Sequence, residues 1–124
     1  MKLNFYSVSW VCAAICFGLA SAWLFAPQVL LAWGDISYSY PVGLVGRRSA
    51  ALFFGLGVMF ALARSAEASP ARAALAYGFS AACLGLGVLG LYEYFTLHVG
   101  PAIFFAIVVE FILAILLLMV AGKK

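Results

Sequence analysis

Apart from Glu110 and the Arg47-Arg48 pair, the charged residues of this chain lie at the ends of apolar stretches long enough to cross a lipid bilayer. Phe5–Ala26 carries no charge at all, and Pro27 ends it. A hydrocarbon core is roughly 30 Å thick and takes about 20 apolar helical residues to cross. Three further runs follow, so spans are expected at 5–26, 42–64, 73–92 and 101–122. With 68% hydrophobic and 9% charged residues and a mean hydropathy of +1.17, the chain cannot cover its own surface with polar groups. A soluble domain uses about 25% charged residues. The expected fold class is all-α: a polytopic membrane protein, one four-transmembrane-helix bundle without a soluble appendage. Lys2 and the small trio Ala20-Ser21-Ala22 resemble a signal peptide, but the apolar run continues to Ala26, so a retained first span is expected.

Pro27–Trp33 reads as a short interfacial segment, followed by a polar, turn-rich loop from Gly34 to Pro41. The charge-free part of the second span, Ser49–Ala63, is only about 22 Å long as a helix, too short to cross. Extending it to Val42 draws Arg47 and Arg48 about 8–10 Å into the bilayer, where they snorkel outward or turn in to a carboxylate. Ser65–Arg72 and Glu93–Gly100 read as the later connections, with Pro101 in the first turn of the last helix. Lys2, Arg64, Arg72, Lys123 and Lys124 fall on one side and Arg47 and Arg48 on the other, five against two. The positive-inside rule therefore places both termini in the cytoplasm and disfavours dual topology. Trp33, Tyr38, Tyr40, Tyr92 and Tyr94 would form an aromatic belt on the outer face. Small residues recur at four-residue steps on the second span (Gly43, Ala51, Gly55) and the third (Ala74, Gly78, Ala82), where helices would pack closely.

Glu110 is the residue most suited to chemistry. It lies about 13 Å into the fourth span, near the midplane, where an ionisable group is costly and normally faces the bundle interior with a partner. Ala102, Ala106 and Ala114 share its stripe. The expected partner is Arg48 or Arg47, whose guanidinium offers a carboxylate two parallel hydrogen bonds. Arg48 is slightly preferred as the inward one. The pair would belong to a ligand or proton site, or else would do no more than fix helix register. Glu93, His98, Asp35 and Tyr92 are expected at the rim of that cavity. A single histidine with scattered carboxylates is a poor metal set, and it excludes bis-histidine haem. Cys12, Cys16 and Cys83 lie within apolar runs and read as packing residues; a disulfide between Cys12 and Cys16 would distort a regular helix.

The net charge of +3 is explained by the flanks of the spans rather than by nucleic-acid binding. No nucleophile elbow, H-E-x-x-H, Walker loop or dinucleotide fingerprint is present, so an enzyme is not the leading expectation. Small multidrug exporters place a glutamate in the first span, where this chain has no acid. The membrane glutathione-transferase family needs an asparagine-bearing helix motif, and no asparagine follows Asn4.

Across Gly43-Leu44-Val45-Gly46-Arg47-Arg48-Ser49-Ala50-Ala51-Leu52-Phe53-Phe54-Gly55-Leu56-Gly57 the chain resembles the DoxX-like superfamily, in particular its small uncharacterised four-helix bacterial members. Phe25-Ala26-Pro27 at the end of the first span and Glu110 in the fourth add to that resemblance. It implies a bundle in the bacterial cytoplasmic (inner) membrane, with Glu110 and Arg47 or Arg48 as the positions carried over. DoxX relatives are linked to redox partners, including thiosulfate–quinone oxidoreduction, and distant eukaryotic relatives assist receptor assembly. Such divergence implies no single activity. The leading expectation is a non-enzymatic membrane protein that binds a membrane partner, a second copy included, with a lipid or a quinone as candidate ligand. The alternatives are a proton-coupled small transporter or channel using Glu110, and an accessory subunit of a quinone-linked oxidoreductase.

Overall fold

The computed structural model of the chain describes residues 3–123; Met1, Lys2 and Lys124 lie outside the described residues, and with them two of the five cations on which the expected orientation rests. Five helices follow in order: α1 (Phe5–Phe25), α2 (Pro27–Trp33), α3 (Tyr40–Ala63), α4 (Pro70–Leu97) and α5 (Ile103–Val120). Of these, α1, α3, α4 and α5 are long and apolar enough to cross a membrane, and the short α2 coincides with the segment expected at the interface.

Local chemistry explains the helix starts. Asn4 caps α1 by accepting the Ser7 N–H at 2.9 Å, and Ser39 and Ser69 do the same for α3 and α4. Pro41 and Pro70 each occupy the first turn, where no N–H is needed. Ser69-Pro70 thus starts α4 earlier than hydropathy implies, so Arg72 lies in its first turn rather than in a loop. The same helix runs on to Leu97 and takes in Glu93. His98 closes it in the left-handed region, with φ 55°. Pro101 lies in a turn just ahead of α5.

Helices α1 and α3 pack as one pair and α4 and α5 as another, and the pairs meet chiefly through α1 and α5. Glycines allow the close approach within each pair. A Cβ on Gly46 would come within 2.6 Å of the Trp23 ring, and one on Gly87 within 2.8 Å of Phe111. The four-residue stripe Ala74, Gly78, Ala82 does not pack inside the bundle; all three residues are exposed. A second small-residue stripe on the opposite side of α4, Ala76, Ser80, Cys83, Gly87 and Gly90, is buried instead, because Ile107, Phe111 and Ala114 of α5 fit over it. Ala51 and Gly55 of α3 likewise face outward.

The core lies toward one end. Phe5, Val8, Cys12, Phe60, Ala76, Leu113, Ala114, Leu117 and Val120 form one buried cluster, and the Phe60 and Phe79 rings meet edge to face at 5.0 Å between α3 and α4. That end holds the start of α1, the α3–α4 connection and the end of α5, joined where Lys123 donates to the Leu3 carbonyl at 3.0 Å. At the opposite end the Gly100 N–H donates to the Gly34 carbonyl at 2.8 Å, strapping the loop after α2 to the turn before α5.

Candidate functional site

Glu110 sits where burial along its stripe of α5 gives way to exposure. It is three residues from Ile107 and Leu113 and four from Ala114, all buried, and therefore lies on the inward face of α5. Along its four-residue stripe Ala114 is 0% exposed, Glu110 half-buried, and Ala106 and Ala102 exposed. The facing helices show the same transition. On α3 Phe60 is buried, Phe53 and Ser49 are half-buried, and Leu52 and Val45 are exposed. On α4 Ala76 and Cys83 are buried, whereas Leu86 is exposed. Burial on these sides of α3, α4 and α5 therefore falls off in the half of the bundle away from Leu3 and Lys123, and Glu110 lies where it does.

The arginines are arranged differently from expectation. Arg48, expected as the inward residue, is exposed, while Arg47 is half-buried. The inward face of α3 is set by Gly43, Gly46, Ala50 and Gly57. Arg48 lies about 200° around the helix from Gly46, and Arg47 only about 40° from Gly43. The structure brings neither guanidinium to Glu110. Glu93 and Cys83, both of α4, interact electrostatically with its carboxyl group.

Of the expected rim residues, Glu93 is half-buried and extends the acidic stripe from Glu110 toward the strapped end. Asp35, with φ 55°, packs against Gly100, where a Cβ would stand 2.5 Å from its Oδ2. Tyr92 and His98 are exposed, as are Trp33 and Tyr40 of the expected belt. The rim thus divides: Asp35 belongs to the strap and Glu93 to the surroundings of Glu110. Among the described residues no three His, Cys, Asp or Glu side chains are grouped to hold a metal ion.

Below Glu110 the interior is more polar than the hydropathy profile implies. Cys12 and Cys16 of α1 and Cys83 of α4 are buried free thiols within electrostatic reach of one another. Ser80 donates to the Ala114 carbonyl at 3.3 Å, and the buried Ser9 hydroxyl has no partner. Each cysteine read singly is a small hydrophobe; their convergence depends on helix pairing, which spacing along one helix does not reveal. A separate apolar groove of about 440 Å³ lies on the far flank of α1 and α3, floored by Ala20, Ser21, Ala50 and Ala51, and contains no ionisable group.

Chemically, the site offers a half-buried carboxyl group at the edge of an apolar core, with a second half-buried carboxyl group on α4. That suits a lipophilic molecule bearing a polar or cationic head, or a helix presenting such a group. The fold and site together define a multi-pass helical membrane protein. Comparison with protein-family models, with curated proteins and with solved structures returns no match.

Proposed function

We propose that this chain is a non-enzymatic membrane protein of the DoxX-like type that binds a lipophilic ligand or a partner helix beside Glu110. One observation carries the reading: a carboxyl group halfway along an apolar helix faces inward but has neither guanidinium beside it. Ionisable groups at such depth are costly and normally find a partner or line a path. The quinone-linked accessory role is the case in which that ligand is a quinone, whose carbonyl would accept from a protonated Glu110. The membrane is proposed to be the bacterial cytoplasmic one, with the core-bearing end of the bundle on the cytoplasmic side, as the distribution of lysine and arginine favours.

The experiment is native mass spectrometry of the wild-type protein and Glu110→Gln, each extracted in mild detergent. Retention of the same ligand or partner by wild type and its loss from Glu110→Gln, with helicity unchanged, is expected. Equal retention by both proteins would remove Glu110 from the site. A second reading, proton-coupled transport, draws on the succession of Glu93 and Glu110 along the bundle. It expects proton-dependent flux in liposomes that Glu110→Gln abolishes and Arg48→Gln leaves intact.

A further inference from the structure

The core-bearing end of the bundle has a pocket of its own, independent of Glu110. It is a hollow of about 370 Å³ between the start of α1, the α3–α4 connection and the segment after α5, lined by Asn4, Tyr6, Arg64, Ser65, Arg72 and Lys123. Three cations from three segments face it. Arg72 is only 6% exposed, an unusual position for an arginine. Its terminal nitrogens donate to the carbonyls of Ala66, at 3.1 Å, and of Lys123; its guanidinium lies 4.7 Å from the centre of the Phe5 ring; and its Nε has no partner. Arg64 lies 5.1 Å from the Trp10 ring centre and donates to the Ala61 carbonyl. The Lys123 ammonium donates to the Leu3 carbonyl at 3.0 Å.

Every one of these partners is a carbonyl or a ring. Carbonyls satisfy N–H groups and aromatic faces attract cations, but neither removes net charge. Glu67, the acidic residue of the same connection, is exposed. The fold therefore collects three positive charges, one of them buried, around a hollow, and among the described residues that line it there is no carboxylate to neutralise them. Donors remain for that purpose: a lysine ammonium has three N–H groups and an arginine five. A tetrahedral oxyanion offers several acceptors at once, and charge-assisted bonds of this kind are the strong ones. The location suits it too, because the pocket lies at the ends of all four spanning helices, the level at which lipid phosphates begin.

We propose that this pocket binds a phosphate group, carried by an anionic lipid or free in solution, through Arg64, Arg72 and Lys123. Arg72 is the buried anchor that also ties the three segments together, while Arg64 and Lys123 close on the anion from the two sides. Binding here would brace the core-bearing end and leave the site at Glu110 free.

The test uses the full chain in nonionic detergent and follows its thermal midpoint as phosphatidylglycerol, phosphatidylcholine or inorganic phosphate is added. A specific ligand of the folded state raises that midpoint with concentration. Because substitution of Arg72 would confound folding with binding, the comparison protein is the double variant Arg64→Gln/Lys123→Gln, checked for unchanged helicity. The wild-type midpoint is expected to rise more with phosphatidylglycerol than with phosphatidylcholine, and the double variant to bind at least tenfold more weakly for each cation removed, about 1.4 kcal/mol apiece. A rise with inorganic phosphate alone identifies the free anion as sufficient, and a rise confined to the lipid identifies a head group. Equal effects of the two lipids without any response to inorganic phosphate, no rise with any addition, or a double variant that responds like wild type would overturn the proposal. Loss of ligand binding at Glu110 would leave these outcomes unchanged, so the two sites fail separately.

Discussion

Glu110 is held on the inward side of α5 by its neighbours Ile107, Leu113 and Ala114, yet the packing that buries them stops at its level. A carboxyl group in that position works against stability, since charge at a bilayer centre costs about 2.5–3.5 kcal/mol on insertion scales. Without a guanidinium beside it, its removal releases that cost and breaks no ion pair. Glu110→Leu is therefore expected to raise the stability of the bundle by about 1–3 kcal/mol, measured by reversible unfolding in mixed micelles. A loss of similar size would mean that the carboxyl group holds the helices together. That Glu110 lies within a long apolar helix was legible in the sequence, from its position in a charge-free run. Its pairing was not. Arg47 and Arg48 are adjacent, small residues recur on more than one face of α3, and only the contact of Gly46 with Trp23 decides which face turns inward.

Among the elements, α3 shows how packing, rather than composition, assigns roles to like residues. Gly46 and Gly55 are both helical glycines in the same span, but Gly46 lies against Trp23 and Gly55 has nothing within 4 Å of a built Cβ. Gly46→Ala is expected to destabilise by about 1–3 kcal/mol, because an indole ring in a packed pair moves only with its neighbours. Gly55→Ala should be neutral or stabilising by up to about 1 kcal/mol, since alanine is the better helix former. Thermal unfolding of the two variants side by side checks this, and equal effects would contradict the packing described for α1 and α3. The existence of all four long helices followed from hydropathy, and the short α2 from the Pro27–Trp33 segment. The start of α4 was also available in Ser69-Pro70, a capping residue followed by proline, but the position of Arg72 at the edge of the apolar run outweighed it. Which small-residue stripe of α4 is buried was not available, because both stripes have the same period and only the side chains of α5 tell them apart.

For the whole molecule, two helical pairs share a core at one end and are joined at the other by the Gly34–Gly100 strap. The two ends therefore differ in kind, with a cationic pocket beside the core and a less buried half beyond Glu110. This asymmetry could not be read from hydropathy, because it depends on which helix faces meet across the pairs. The proposed orientation expects a membrane-impermeant maleimide to label Ser37→Cys in intact cells and Glu67→Cys only after permeabilisation; the native thiols are buried and should stay unlabelled in both cases. The reverse pattern would invert the bundle. The central claim, that the Glu110 carboxyl group is reached from the bilayer through the less buried half of the bundle, is tested most directly by an apolar carbodiimide. Such a reagent partitions into lipid and modifies a protonated carboxyl group there. Peptide mass spectrometry of treated membranes is predicted to find the adduct on Glu110. An unmodified Glu110 in the folded protein, with the adduct appearing only after denaturation, would contradict the account.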